Sequence, residues 1–344
     1  MSARAETIAE ALLAWYDRHA RDLPWRAPPG TPPPEPYRVW LSEVMLQQTT
    51  VAAVKPYFAR FTGRWPNVEA LAAAPEAEVM AAWAGLGYYS RARNMVKAAR
   101  AVAERGGFPR EQAELRLLPG VGEYTAAAIA AIAFGERAVV VDGNVERVVA
   151  RLFAIAEPVP AARTPIRAAA ERITPDERPG DYAQAMMDLG ATVCTARAPR
   201  CLLCPLREHC RGYATGEPEQ FPVKLAKRAV PERVGQTYWV ERAGQVWLVT
   251  RPAAAMLGGM RALPDDGWTA QADGSGTPPL PGAWREVGLV RHAFTHARLT
   301  LAVLVNEGEA EPGGAGEWWP VERLAEAGLP TLYAKVARLA LAAR

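Results

Sequence analysis

The chain has 344 residues, half of them hydrophobic, with 40 Lys and Arg against 37 Asp and Glu. That length exceeds one comfortable core and predicts two domains or more. A net charge of +3 excludes a bulk polycation, so any nucleic-acid surface must be local, and no apolar run is long enough to cross a bilayer, the best stretch (124–141) being broken by Glu136 and Arg137.

The N-terminal segment carries charges throughout and reads as an amphipathic helix rather than a secretion signal, which points to a cytosolic protein. The run PPGTPPPEP (28–36) excludes helix and predicts a polyproline-like surface loop. Apolar residues then recur at helical spacing in YRVWLSEVMLQQTTVAAVKPYFARF, AEVMAAWAGLG, SRARNMVKAARAVAERGG and VERVVARLFAI. Residues 1–215 therefore read as a mostly α domain. Residues 216–234 are polar, Pro-containing and basic, as a linker would be. From 235 to 344 the pattern changes to short strands, the first two around a turn centred on Ala243-Gly244, followed by a closing helix; this is a small α+β domain.

In LPGVGEYTAAAI, Gly120-Val121-Gly122 can bend tightly before a helix that begins near Glu123. With the preceding AELRLL this makes a helix–hairpin–helix over 113–135. Its free N–H groups suit a backbone phosphate and supply position rather than sequence choice. Glu43 in VWLSEVMLQQT has mostly apolar neighbours at helical spacing, which favours its protonated form and suits a general acid; a helix-edge glutamate with its head in water is the ordinary alternative. Asp142, before GNVERVVARL, could be a plain N-cap or the carboxylate that stabilises an oxocarbenium-like sugar. For Asn144, too, an N-cap is the ordinary reading.

The four cysteines fall together in 194–210 with spacing C-x6-C-x2-C-x5-C: Cys194, Cys201, Cys204 and Cys210. Four thiolates so close suit one metal or one cubane, and zinc against [4Fe–4S] stays open at this point, although zinc sites more often pair two C-x2-C units. His209 is a further candidate ligand. Arg197, Arg200, Arg207 and Arg211 form a basic collar around the loop that could meet phosphates.

The set LPWR, VWLSEVMLQQT, GLGYYSRARN, LPGVGEYTA, VDGNVERV and QAMMDLGATVC, with the cysteine spacing, closely resembles the MutY-type adenine DNA glycosylases of the endonuclease III superfamily over about residues 5–215. The C-terminal part is similar, more loosely, to that family's Nudix-like domain. The resemblance implies a multidomain protein: a helical helix–hairpin–helix glycosylase with an iron–sulfur loop, plus an α+β Nudix-like domain for mismatch recognition. It implies a [4Fe–4S] cluster on the four cysteines. It also implies a monomer acting on nucleoid DNA, with double-stranded DNA bearing adenine opposite 8-oxoguanine or guanine as partner. Glu43 would protonate adenine at N7, Asp142 would face the sugar, and Tyr124 and Asn144 would orient these groups and the attacking water. Gln48, Thr49 and Tyr88, with Gly120, Val121 and Gly122, would contact DNA. Gln48 and Tyr88 match wedge positions. Arg26 and Gln184 would border the adenine pocket. Phe294, Thr295 and His296 would meet 8-oxoguanine.

In related glycosylase-lyases the position of Tyr124 is a lysine that attacks the sugar as an amine. A phenol forms no imine, and the five lysines (Lys55, Lys97, Lys224, Lys227, Lys335) lie in no matching motif. A monofunctional enzyme using water follows. An endonuclease III-like lyase is the nearest rival, and Tyr124 and the C-terminal domain speak against it. A non-enzymatic DNA-binding module is a second. A Nudix hydrolase is a third, but AWREVGLV offers Glu286 alone where a magnesium array needs several carboxylates. Two departures from the family stand out: the inserted proline run, and Leu257 and Arg261 in a segment where aromatic residues are usual.

Overall fold

The computed structural model describes residues 3–225, 229–252, 255–294 and 296–343. Thr295, one of the expected 8-oxoguanine contacts, lies outside the described residues, as does Lys227. The chain divides into two compact units, Met1–Ala74 with Asn94–Ala226 and Pro75–Arg93 with Lys227–Arg344. Residues 75–93, expected in the helical domain, group with the C-terminal part because local contacts hold them there; Arg93 Nη1, for example, donates to the Gly258 carbonyl at 2.5 Å.

The helices in chain order are α1 Ala3–His19, α2 Pro36–Leu46, α3 Val51–Arg64, α4 Val68–Ala73, α5 Glu76–Trp83, α6 Ser90–Glu104, α7 Gln112–Leu115, α8 Glu123–Phe134, α9 Gly143–Phe153, α10 Arg163–Ile173, α11 Pro179–Thr192, α12 Arg211–Ala214 and α13 Thr331–Ala342. In the first unit α8 is the centre. Thr125–Ala133 is buried residue by residue, as befits a helix apolar on every side, and α2 and α11 pack against it. Close approach is built in: a Cβ on Gly190 of α11 would come 2.6 Å from Asn144 Cβ at the start of α9.

The helical spacing from Tyr37 to Phe61 proves to be two helices. Gln48 takes the left-handed region at φ +54°, and Thr50 caps α3 by accepting from Ala53 N. The proline run leaves residues 28–35 without helix, and Gly30 N donates to Asp181 Oδ2 at 3.0 Å, tying this loop to α11. Of the expected linker 216–234, the stretch 216–225 is tied to the first unit and 232–234 is strand. Lys224 bridges to Val159, Arg151 Nε donates to the Phe221 carbonyl, and the first strand already begins at Glu232.

In the second unit the strands are β1 Glu232–Trp239, β2 Glu241–Arg242, β3 Gln245–Thr250, β4 Arg261–Ala262, β5 Trp284–Ala293, β6 Arg298–Asn306 and β7 Glu317–Pro320. One sheet runs β1-β6-β5, with β1 parallel and β5 antiparallel to β6 and an irregularity between Glu286 and Gly288. The other centres on β3, flanked by β2, β4 and β7. Alternation along β6 turns Leu299, Leu301 and Val303 inward, where they meet Trp239, Leu248 and α13 residues Tyr333 and Val336. The β2–β3 turn has positive φ at both Ala243 and Gly244, the geometry a two-residue hairpin favours.

Candidate active site

A cleft of ≈ 940 Å³ opens in the first unit, and Glu43, Tyr124, Asp142 and Asn144 all line it. This size falls in the range of ligand sites. Glu43 sits on α2 between buried Val39, Trp40, Leu41, Val44 and Met45, and is itself 6% exposed. The alternative of a solvated helix-edge glutamate is thereby removed. Burial pushes its carboxyl up to about 7, the Asp142 charge adds to the rise, and the Tyr124 hydrogen bond and the Arg26 charge oppose it.

Tyr124 stands in the first turn of α8, and its Oη donates to Glu43 Oε2 at 2.7 Å. Burial, then the nearby charges of Glu43 and Asp142, raise that phenol well above its usual range. Asp142 is the N-cap of α9, with Oδ1 accepting from Asn144 N (2.9 Å) and Val145 N (2.7 Å), and Oδ2 from Asn144 Nδ2 (2.9 Å). The N-cap reading of Asp142 therefore holds, and the cap bonds fix a carboxylate that lines the cleft. Asn144 in turn accepts from Arg147 Nη2 at 2.9 Å, and Arg147 Nε donates to the Cys194 carbonyl at 2.8 Å.

Arg26 and Gln184 also line the cleft. Arg26 Nη1 donates to Asp188 Oδ2 at 2.7 Å, and Arg21 donates to the same carboxylate from its backbone N and its Nε. Gln184 is 5% exposed and its Nε2 bonds the Gly180 carbonyl at 3.3 Å. Sequence reasoning missed Asp188, Arg21 and Arg147. The available signal was the four-residue step from Gln184 to Asp188, which puts both on one face of α11.

Gln48 and Thr49 lie at the cleft edge. Tyr88, in the second unit, is 47% exposed and, like Gln48, adopts a left-handed backbone (φ +48°). Such conformations cost non-glycine residues energy and gather at functional sites. The expected helix–hairpin–helix is present as α7, the turn 118–122 and α8. Gly120 has φ +75°, and a Cβ there would meet Asn94 Cβ at 2.7 Å. Val121 is buried, whereas nothing stands within 4 Å of a Cβ on Gly122. With no side-chain cap on Gly122, the first N–H groups of α8 are open to an anion.

The four cysteines form no disulfide and line one cavity, together with Arg151, Arg207 and Tyr213. His209 is not among those lining residues. Among the described residues no three His, Cys, Asp or Glu side chains converge as they would on a single ion. Arg151 Nη1 donates to Cys194 Sγ at 3.3 Å and Tyr213 N to Cys210 Sγ at 3.4 Å. Burial raises the Cys204 thiol to about 12, so thiolates here require a positive group among them. Of the basic collar, Arg207 pairs with Glu208 at 2.7 Å.

In the second unit Phe294 stacks on Trp268 (5.7 Å, 27°) and meets His292 edge-on (4.6 Å). His296 is exposed, and Glu286 is exposed on β5.

Residues 41–175 match the HhH-GPD superfamily of base excision DNA repair proteins, and residues 236–339 match the NUDIX domain. The chain is 37% identical over 399 residues to the human adenine DNA glycosylase, a span covering 96% of this chain and 73% of that protein. It is 42% identical over 226 residues to the adenine DNA glycosylase of Mycolicibacterium smegmatis, covering 65% and 74%. Among solved structures, a thermostable thymine-DNA glycosylase superposes with TM-score 0.55 at 28% identity, covering 62% of this chain and 97% of that one. Endonuclease III in a non-covalent complex with DNA gives 0.52 at 26% identity, covering 63% and 99%.

Proposed function

The chain belongs to the adenine DNA glycosylase family of base excision repair, and on that premise we propose that it hydrolyses the N-glycosidic bond of adenine mispaired with 8-oxoguanine or guanine in duplex DNA. The observation that carries this reading is a single cleft holding a buried glutamate, bonded to a tyrosine, and a capped aspartate.

With its carboxyl raised to about 7, Glu43 is protonated in a large fraction of molecules at neutral pH. It gives that proton to adenine N7 as the C1′–N9 bond breaks. General acids of this kind contribute roughly 10²–10⁴-fold. The Asp142 carboxylate stabilises the oxocarbenium-like sugar or bonds to it, and water completes the hydrolysis. Asn144 keeps Asp142 oriented, and Tyr124 keeps Glu43 oriented. Adenine must first leave the stack, at a cost of a few kcal/mol. Gln48 and Tyr88 are the wedges, and the Gly120–Gly122 turn with Thr49 grips the backbone. Arg26 and Gln184 border the base. Phe294, Thr295 and His296 meet the oxidised base opposite, on a domain that performs no hydrolysis of its own. The protein acts as a monomer on nucleoid DNA.

Final attack by water is supported by Tyr124 at the lyase position. Among the described residues no lysine lines the cleft, so no amine is at hand for a Schiff base. The cysteine cavity fits a [4Fe–4S] cluster: all four thiols line it, and Arg151 Nη1 and Tyr213 N donate to the sulfurs of Cys194 and Cys210. When bound, the cluster supplies a four-sulfur crosslink that orders residues 194–210.

Glu43→Gln and Asp142→Asn test the assignment. Each should lower single-turnover adenine release at least about 100-fold while affinity for the mispaired duplex persists. Release at the wild-type rate in either variant would remove that residue from the mechanism.

A further inference from the structure

Asp188 has no place in the chemistry above, yet it is fully buried on α11, next to Met187 and four residues after Gln184, both of which line the cleft. It accepts three hydrogen bonds, all from the loop that follows α1: Arg21 N at 3.0 Å, Arg21 Nε at 2.7 Å and Arg26 Nη1 at 2.7 Å. Arg26 is the deeper of the two arginines, its side chain 8% exposed against 28% for Arg21. Arg26 is held by one short charge-assisted bond and by the burial of its side chain. Arg26 and Glu43 line the same cleft, where the Arg26 charge favours ionised Glu43, less strongly than burial, Tyr124 or Asp142 act on it.

We propose that Asp188 is a positioning residue for base excision: by clamping Arg26 it fixes one cation in the cleft wall and sets how strongly that cation acts on the Glu43 carboxyl. The proposal rests on the reading of Glu43 as the acid.

The groups facing Glu43 are Tyr124 from α8, Asp142 at the cap of α9 and Arg26. Those facing the Arg26–Asp188 pair are Arg21 and Tyr16 of α1, the latter buried and raised to about 12, chiefly by that burial. Of all these, Arg26 is the cation that favours ionised Glu43. Neutralising Asp188 leaves Arg26 uncompensated, so its pull on Glu43 grows and the acid loses its proton at lower pH. Removing Arg26 abolishes that pull, and the acid keeps its proton to higher pH. A purely structural role for the pair would lower the rate in both variants without moving the profile in opposite directions.

The test is the pH dependence of single-turnover adenine release by the full, cluster-loaded chain on a duplex with adenine opposite 8-oxoguanine. The alkaline midpoint should move down in Asp188→Asn and up in Arg26→Gln, each by up to about one pH unit. Arg21→Gln, at a partly exposed position the fold should tolerate, leaves Asp188 wholly to Arg26 and should also move it up. This last variant tests the clamp even if Asp188→Asn fails to fold. Asp188→Glu, which keeps the charge, should restore the wild-type midpoint. Unmoved midpoints in Arg26→Gln and Arg21→Gln, or a shift in one common direction for Asp188→Asn and Arg26→Gln, would overturn the proposal. Glu43→Gln run alongside separates the two failures, because activity surviving in that variant would defeat the acid assignment itself.

Discussion

The Tyr124 hydroxyl donates to Glu43 Oε2 at 2.7 Å, from the first turn of α8 to the last turn of α2. This bond favours the ionised carboxylate, whereas burial, the larger effect, favours the protonated acid. The two together leave the group near neutrality, where a general acid works best.

Tyr124→Phe removes the bond and keeps the ring. Glu43 should then hold its proton to a pH above about 7, so the alkaline limb of the rate profile moves upward. The rate at pH 6 should fall about tenfold or more as the carboxyl loses its orientation, the size expected for a hydrogen bond to a charged group. A pH series of single-turnover rates checks both effects. An unmoved limb would mean that Tyr124 does not act on Glu43.

Glu43 should also impose a pH-dependent cost on folding. Its folded value, about 7, lies above the ordinary 4.5. The contribution to stability is therefore full below pH 4.5 and is lost as pH rises through 7. The loss amounts to about 3 kcal/mol. Glu43→Gln, an uncharged isostere, should be clearly more stable than wild type at pH 8, with the gap closing near pH 4.5. Urea unfolding at the two pH values reads this directly, and an equal gap at both would contradict it.

How much of this was legible beforehand differs by residue. Glu43, Asp142 and the cysteines declared themselves through local context: an acid in an apolar helix, an acid before a helix, four thiols in one loop. The helix–hairpin–helix was legible because glycine spacing is a local signal. The break at Gln47–Thr50 was not, since apolar periodicity runs straight through it and the left-handed Gln48 leaves no compositional mark. Asp188 was hidden because its partners Arg21 and Arg26 are more than 160 residues away in sequence. The ordering of 216–225 was hidden likewise, because it depends on Arg151 and Val159 rather than on the segment's own polar composition.

Arg151 should prove essential to the cysteine loop. It is 2% exposed and donates to the carbonyls of Phe221, Thr195 and Ala196 and to Cys194 Sγ. Arg151→Met keeps the bulk and strands these acceptors, at about 1–3 kcal/mol for each buried group left unpaired. Bound iron and sulfide per chain should fall, along with the urea midpoint. Full iron content in this variant would contradict the role given to Arg151, and zinc in the wild-type protein would contradict the cluster.

We propose hydrolysis of the adenine glycosidic bond by Glu43 and Asp142, with water rather than an amine as nucleophile. Single-turnover reactions on labelled duplexes carrying adenine opposite 8-oxoguanine, guanine or thymine, read with and without alkali, test it most directly. Breaks at the mispaired adenine that appear only after alkali, fastest opposite 8-oxoguanine, are the predicted result. Breaks without alkali, or tight binding with no breaks at all, would contradict it.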